Sequence, residues 1–296
     1  MSAFDTPTRS LVSRTQLSRP LGRTLYWVVF WSLIVLFAAV FLFPLYWMVS
    51  GGMKSAQEMI QTPPTIVPHH VELGNYASAW KDLDLGRLIF NTGYYALGAL
   101  AFQLVFDVAA AYSFSKLRPV FGNVVLFAML ATLMIPTTVI ILPTYLTANS
   151  LPFVHWSLLN TPWAIWLPSV TSAFNIFLLK RFFDSIPTEL LAAAAVDGAG
   201  PIRTLWSIVL PMSRPILGVV SIFAVVGVWK DFLWPLLVLT DTSVQTVNVG
   251  LHQLSVGISQ NVLIAALAIA SVPTIVFFLI FQRNIMAGLT AGGMKG

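Results

Sequence analysis

The chain has 296 residues, 57% of them hydrophobic and 9% charged, and its mean hydropathy is +0.82. Soluble domains carry about 25% charged residues, so a soluble enzyme, a disordered segment and an ordinary secreted domain are excluded. With no cysteine there are no disulfides, thiolate metal sites or catalytic thiols, and the net charge of +5 acquires meaning only from where the charges lie.

Taken in chain order, residues 1–24 form a polar tail with Arg9, Arg14, Arg19 and Arg23 against one acid, Asp5. An uncharged run from Leu25 to Ser50 follows. It is too long for a signal-peptide core of about 7–15 residues and reads as a retained helix, tilted or kinked at Pro44. Further apolar segments run Leu88–Ser115 with Asp107 inside, Phe121–Leu142 broken at Pro136, Pro162–Leu179 with Pro168, Pro215–Leu239 with Lys230 and Asp231, and Val262–Phe281 with Pro273. At about 20 residues per span these make six transmembrane helices. The expected layout is a tail at 1–24, a membrane domain at 25–282 and a second tail at 283–296. The runs are continuous rather than alternating, so they are not strands of an outer-membrane barrel, and the fold class is all-α.

Six spans place both termini on one side. That side collects Arg9, Arg14, Arg19, Arg23, Lys116, Arg118, Lys180, Arg181, Arg203, Arg214, Arg283 and Lys295, against Lys54, Lys81 and Arg87 on the other. The positive-inside rule makes the basic side cytoplasmic. The excess charge is thereby explained, and nucleic-acid binding has no support. A Gly-rich phosphate loop of the form G-x-x-x-x-G-K-S/T is absent, so the chain shows no ATP site of its own.

One cytoplasmic loop is long: 180–214. Pro187 suits the first turn of a helix and Glu189 its positive end. Asp197-Gly198 stops that helix, with glycine free to turn left-handed. Gly200-Pro201 opens a second helix, which Pro211 ends. Ala192, Ala193, Ala194 and Ala195 leave the first helix a smooth surface that another protein can approach closely. An amphipathic hairpin resting on the membrane is the plainer alternative.

Gly198, nine residues and then Ile208-Val209-Leu210-Pro211 resemble the signature of permease subunits of bacterial ABC importers. Pro187, Glu189, Leu190, Ala193, Ala194, Asp197, Gly198 and Ala199 fall on its fuller form, P-x-E-L-x-E-A-A-x-x-D-G-A. Asn75-Tyr76, Ala110-Ala111-Tyr112, Ile135-Pro136 and the run WKDFLWPL at Trp229–Leu236 extend the likeness over nearly the whole chain. The end, Gly288-Leu289-Thr290 to Gly296, is similar to that of the shorter permease of maltose-type sugar importers. The resemblance implies a type I permease fold, a second related permease, and two copies of a cytoplasmic ATPase that use ATP and Mg and dock on the 180–214 loops. It also implies an external sugar-binding protein approached by residues 240–261, residence in the bacterial inner membrane, and no cofactor or bond chemistry in the chain itself. Two departures stand out. The family's signature glutamate aligns with Ala192, leaving Glu189 one turn earlier as the nearest acid, and the usual asparagine after Trp229 is Lys230.

An ionisable group inside the membrane is functional by default, because burying it costs at least about 2.5 kcal/mol. Asp231, flanked by Trp229 and Trp234, suits a sugar: aromatic faces stack and the carboxylate accepts from hydroxyls. The alternative is a polar anchor near the outer interface, with Lys230 snorkelling. Asp107 is either a pathway residue or a hydrogen-bonding link between helices, and the second is preferred. Trp27, Trp47, Trp156 and Trp163 lie near span ends, as interface anchors do. His69 and His70 form an isolated pair without further metal ligands. The substrate expected is a di- or oligosaccharide, with a glycerol-phosphate or polyol as alternative. Rival classes are a proton-coupled carrier using Asp107 and Asp231, and a membrane scaffold.

Overall fold

Apolar runs of this length leave the backbone only one way to satisfy its own polar groups in lipid, by helix formation. The computed structural model describes residues 20–293, with side chains as far as residue 282. Arg9, Arg14, Arg19, the Arg283 side chain and Lys295 lie outside the described residues. The first run is one helix, Pro20–Gly51, of 32 residues. At 1.5 Å per residue it is about 48 Å long, against about 30 Å of hydrocarbon, long enough to cross with tilt or to project beyond the bilayer at its polar start. Its side chains are largely exposed until Ser50 and Gly51, and its main neighbour is the last helix. A helix apolar all round belongs in lipid or against another membrane protein.

The chain then enters a connecting segment knitted by amides. Asn75 Nδ2 donates to the carbonyls of Gly52 (3.0 Å) and Lys54 (2.9 Å), and Asn261 Nδ2 to those of Lys54 (3.2 Å) and to Asn75 Oδ1 (3.0 Å). The Lys54 ammonium donates to the Thr65 carbonyl and lies 4.4 Å from the Trp47 ring centroid. The Asn75-Tyr76 pair thus ties the exit of the first span to the start of the last.

Helix Leu85–Tyr112 is the centre of the bundle, packed on Arg214–Lys230 and Ala173–Asp184; Arg214–Lys230 also packs along Gln260–Gly293. It continues as a π-turn over Ser113–Leu117, and Arg118 (φ +49°) followed by Pro119 stops it. The third segment is two helices, Gly122–Thr132 and Thr137–Asn149, bent by 103°. Pro136 between them has no N–H, and its ring drives the preceding residue out of the helical region. The fourth segment is also broken, into Trp163–Trp166 and Ala173–Asp184, the latter capped by the Ser172 hydroxyl, which accepts from Asn175 N at 3.3 Å.

Among the described residues three helices are therefore long and apolar enough to cross a membrane alone, or up to five spans if each bent pair counts as one. The interrupted fourth segment is what separates that count from the six expected. The last helix, Gln260–Gly293, keeps going past Pro273 and through most of the expected C-terminal tail.

Close packing at the bundle centre relies on Gly98. A Cβ there would stand 2.2 Å from the Trp166 indole, whose Nε1 donates to the Tyr95 carbonyl at 3.1 Å.

Candidate functional site

Two regions carry the residues singled out by the sequence. The first is a cleft of about 1100 Å³. Gln103, Ser169, Ser172 and Asn175 line it on one side, Thr137, Thr138 and Thr144 on another, and the break in the fifth segment, Lys230–Pro235, closes it. Helix Arg214–Lys230 ends at Asp231, which is extended (φ −67°, ψ 134°), and a short helix Leu233–Val238 resumes. A helix end leaves carbonyls without partners. Asn248 answers two of them, its Nδ2 donating to the carbonyls of Trp229 (2.9 Å) and Asp231 (3.4 Å). The break is thus held open by a side chain from the following loop, a residue that carried no sequence motif. The Trp234 indole N–H donates to the Ala164 carbonyl at 2.8 Å, fixing its ring beside the cleft.

Asp231, Trp234 and Lys230 all line this cleft. Trp229 lines a separate apolar pocket of about 200 Å³, with Gly93, Pro273 and Phe277. Asp107 lies behind the cleft wall, 1% exposed, its Oδ1 accepting from Ser172 N at 2.9 Å across two helices; its Oδ2 has no hydrogen-bond partner among the described residues. Asn175 Nδ2 donates to Gln103 Oε1 at 3.1 Å, a second link between the same two helices.

The second region is the hairpin within 180–214. Its first helix is Thr188–Val196, with Pro187 (ψ 134°) just outside as the cap position rather than in the first turn. Gly198 has φ +75°; its N–H donates to Ala195 O (3.1 Å) and that of Ala199 to Ala194 O (2.9 Å). This pair of bonds is the Schellman termination that a glycine after Asp197 permits. The second helix starts at Pro201 and passes through a π-turn, Leu205–Val209, before Leu210–Met212. The sequence has Pro211 end this helix, but Pro211 lies inside it. Lacking an N–H, it cannot bond back to Ser207, and the wider turn ahead of it absorbs the mismatch. The stop falls at Ser213, where the chain bends 84° into Arg214–Lys230.

Glu189, Ala192 and Ala193 are exposed, while Ala194 is buried. Val209 is buried against the bundle, with Leu191, Leu205 and Leu210 packed on the same cluster; Ile208 is half-buried. Polar bonds stitch the hairpin base to the end of the second span. Ser115 Oγ donates to Asp184 Oδ1 (2.7 Å), Lys116 Nζ to Ile186 O (3.1 Å) and Tyr112 OH to Pro201 O (3.0 Å). The loop after the fifth segment is anchored too: Asn91 Nδ2 donates to Ser243 O (2.9 Å) and Tyr95 OH to Val244 O (2.7 Å). Two stretches of it are broadly exposed, Thr240–Ser243 and the part near His252–Gln260, with buried residues between them.

The architecture is shared with solved importers. A chain in the structure of a bacterial ABC transporter involved in the import of the acidic polysaccharide alginate matches with a TM-score of 0.77 at 21% identity, covering 93% of this chain and 99% of that one. In sequence, the diacetylchitobiose uptake system permease protein NgcG of Streptomyces coelicolor is 29% identical, over 89% of this chain and 87% of that protein. The sulfoquinovosyl glycerol transport system permease protein SmoH of Agrobacterium fabrum is 32% identical, over 86% and 89%. The sn-glycerol-3-phosphate transport system permease protein UgpE of the same organism is 29% identical, over 92% and 97%. Residues 103–290 match the family described as binding-protein-dependent transport system inner membrane component. A carrier working alone on a proton gradient and a scaffold are both displaced by that match. The chain belongs to this family: it is a permease subunit of an ABC importer, and it transports rather than catalyses.

Proposed function

We propose that the chain forms half of the path by which a hydroxyl-rich solute, a di- or oligosaccharide, enters the cell. The other half is a related permease, and each carries one copy of a cytoplasmic ATPase on its hairpin. ATP and Mg belong to those ATPases. A binding protein delivers the solute at the opposite face, and both termini are cytoplasmic. The observation that carries this reading is one of continuity. The hairpin bends at Ser213 into the Arg214–Lys230 helix, and that helix ends at Asp231 in the cleft. Seventeen residues of helix, about 25 Å, connect a cytoplasmic docking element to the polar wall of the path. Movement of the hairpin therefore moves the cleft.

The cleft wall suits sugars: threonine, serine, asparagine and glutamine groups, a carboxylate, and an indole fixed beside it. Diacetylchitobiose, taken up by the NgcG system, and sulfoquinovosyl glycerol, transported by the SmoH system, are of that hydroxyl-rich class. A glycerol-phosphate or other anionic polyol is the second reading. Lys230 favours it, since it lines the cleft and makes no salt bridge among the described residues.

The test is uptake per assembled complex. Asp231→Asn keeps an acceptor and is expected to be mild. Asp231→Leu forfeits a charged hydrogen bond of about 1.5–3 kcal/mol, a fall of roughly ten- to a hundredfold. Equal uptake per complex for wild type and Asp231→Leu would remove Asp231 from the path.

A further inference from the structure

The bend at Pro136 swings helix Thr137–Asn149 sideways, and the turn that follows it is built with unusual care for a surface loop. Leu151 N donates to Trp156 O and His155 N to Leu151 O, both at 2.9 Å, while Leu158 N donates to Ala148 O at 2.8 Å. Within this closed turn Phe153 (φ +72°) and His155 (φ +56°) take left-handed backbone conformations, which bulky side chains rarely adopt and which persist only where the surroundings enforce them. The conformation buries nothing. Phe153 is 97% exposed, Trp156 72% and Val154 52%. A backbone held in a strained shape to display three apolar side chains is the reverse of what an idle aqueous loop does.

Charge distribution identifies the occupant. From Pro119 to Leu179 there is no Asp, Glu, Lys or Arg, and the turn lies inside that stretch. A surface that docks a soluble protein carries a polar, charged rim, and the turn's own sequence offers none. Trp and Phe without neighbouring charge match the headgroup level of a bilayer, where an amphipathic ring has one wet side and one apolar side. The interrupted segment 163–184 runs along helix Leu85–Tyr112, with Ala164 and Ile165 packed near Tyr95 and Ala99 and Phe183 near Tyr112, so the turn and the hairpin lie toward opposite ends of the bundle.

We propose that the Leu151–Trp156 turn is a membrane anchor that inserts Phe153, Val154 and Trp156 into the outer leaflet, bracing the bent Thr137–Asn149 helix that lines the cleft. The choice of leaflet rests on the orientation proposed above; the contact with lipid does not. Because the chain contains no cysteine, each variant carries one thiol in this chain, and the other subunits are used in cysteine-free form. Phe153→Cys, Val154→Cys and Trp156→Cys, each carrying an NBD fluorophore, are placed in the complete complex in phosphatidylcholine–phosphatidylglycerol nanodiscs. Val256→Cys, at a residue 94% exposed on another loop, is the aqueous control. Expected is at least twofold stronger quenching of the turn probes by lipid carrying a doxyl group at carbon 5 than by aqueous iodide, with the reverse order at 256. Iodide-dominated quenching at all three turn sites would overturn the anchor and favour a water-facing tip or a docking surface. Loss of both kinds of quenching would overturn it equally, placing the turn under a partner subunit. Three sites guard against one variant failing to assemble. Labelling of intact cells at Val256→Cys by an impermeant maleimide reports the orientation separately.

Discussion

Asp107 and Asp231 are both carboxylates inside apolar segments, yet their surroundings differ: one is sealed behind the cleft wall and the other lines the cleft. Asp107 is sealed against Ser172 N at the start of helix Ala173–Asp184, where a carboxylate complements unpaired N–H groups. Asp107→Asn keeps an acceptor for that N–H and is expected to leave the complex intact. Asp107→Leu orphans it, at a cost of about 1–3 kcal/mol, and should lower the amount of assembled complex on native gels while uptake per surviving complex changes little. Strongly reduced uptake per complex at normal abundance would instead make Asp107 a pathway residue. Glu189 poses the complementary question on the hairpin. It is exposed one turn before Ala192, and residues three apart share a helix face. Glu189→Gln should reduce binding-protein-stimulated ATP hydrolysis, and adding Ala192→Glu should restore it; wild-type stimulation in Glu189→Gln would shift the acid contact to the partner permease. Sequence showed that these acids exist and where they fall along the chain. It did not show that Asp107 meets Ser172, 65 residues away, or that Trp229 turns from the cleft that Trp234 enters, because both depend on how helices face one another. Asn248 was illegible for the same reason: its role is defined by carbonyls left open on another element.

Among the elements, the hairpin was the most readable, since its signals are local. The Asp197-Gly198 stop, the Gly200-Pro201 start and the left-handed glycine all follow from backbone chemistry within a few residues. A Cβ at Gly198 meets nothing within 4 Å, so the cost of substitution is purely conformational. Gly198→Ala is expected to retain part of the uptake, whereas Gly198→Val, strained by about 1–3 kcal/mol, should nearly abolish it at normal complex abundance; full uptake by the valine variant would exclude the hairpin as a transmission element. Gly98 gives the opposite case, one of space. Gly98→Ala drives a methyl into the Trp166 indole, an overpacking cost of about 1–3 kcal/mol that should appear as a lower melting temperature of the detergent-solubilised complex, relieved in Gly98→Ala with Trp166→Leu. An unchanged melting temperature would mean that the two helices separate freely there. Prolines were visible as punctuation, but their consequences were not uniform: Pro44 and Pro273 sit within continuous helices, Pro136 marks a bend of 103°, and Pro211 is absorbed by a π-turn. A proline states only that one N–H is missing; the packing around it decides between a kink, a break and a wider turn.

At the scale of the whole molecule, the apolar first helix, the open cleft and the exposed hairpin are each half of something. The first asks for lipid or a second membrane protein, the second for a facing wall, the third for a motor. Composition and hydropathy made the membrane class plain, and the motif spacing around Gly198 made the family plain. The interrupted fourth segment was hidden because hydropathy averages over Pro168 and the polar Ser172 cap without registering that the backbone leaves the helix. In the proposed mechanism, solute moves only when ATP-driven hairpin movement reaches the cleft. This coupling is tested most directly in proteoliposomes holding the complete complex, with ATP inside, loaded binding protein outside, and uptake compared with that under a proton gradient alone. Uptake should require both ATP and the binding protein, and the Gly198→Val complex should hydrolyse ATP without accumulating solute. Accumulation driven by the proton gradient in the absence of ATP and binding protein would contradict the account.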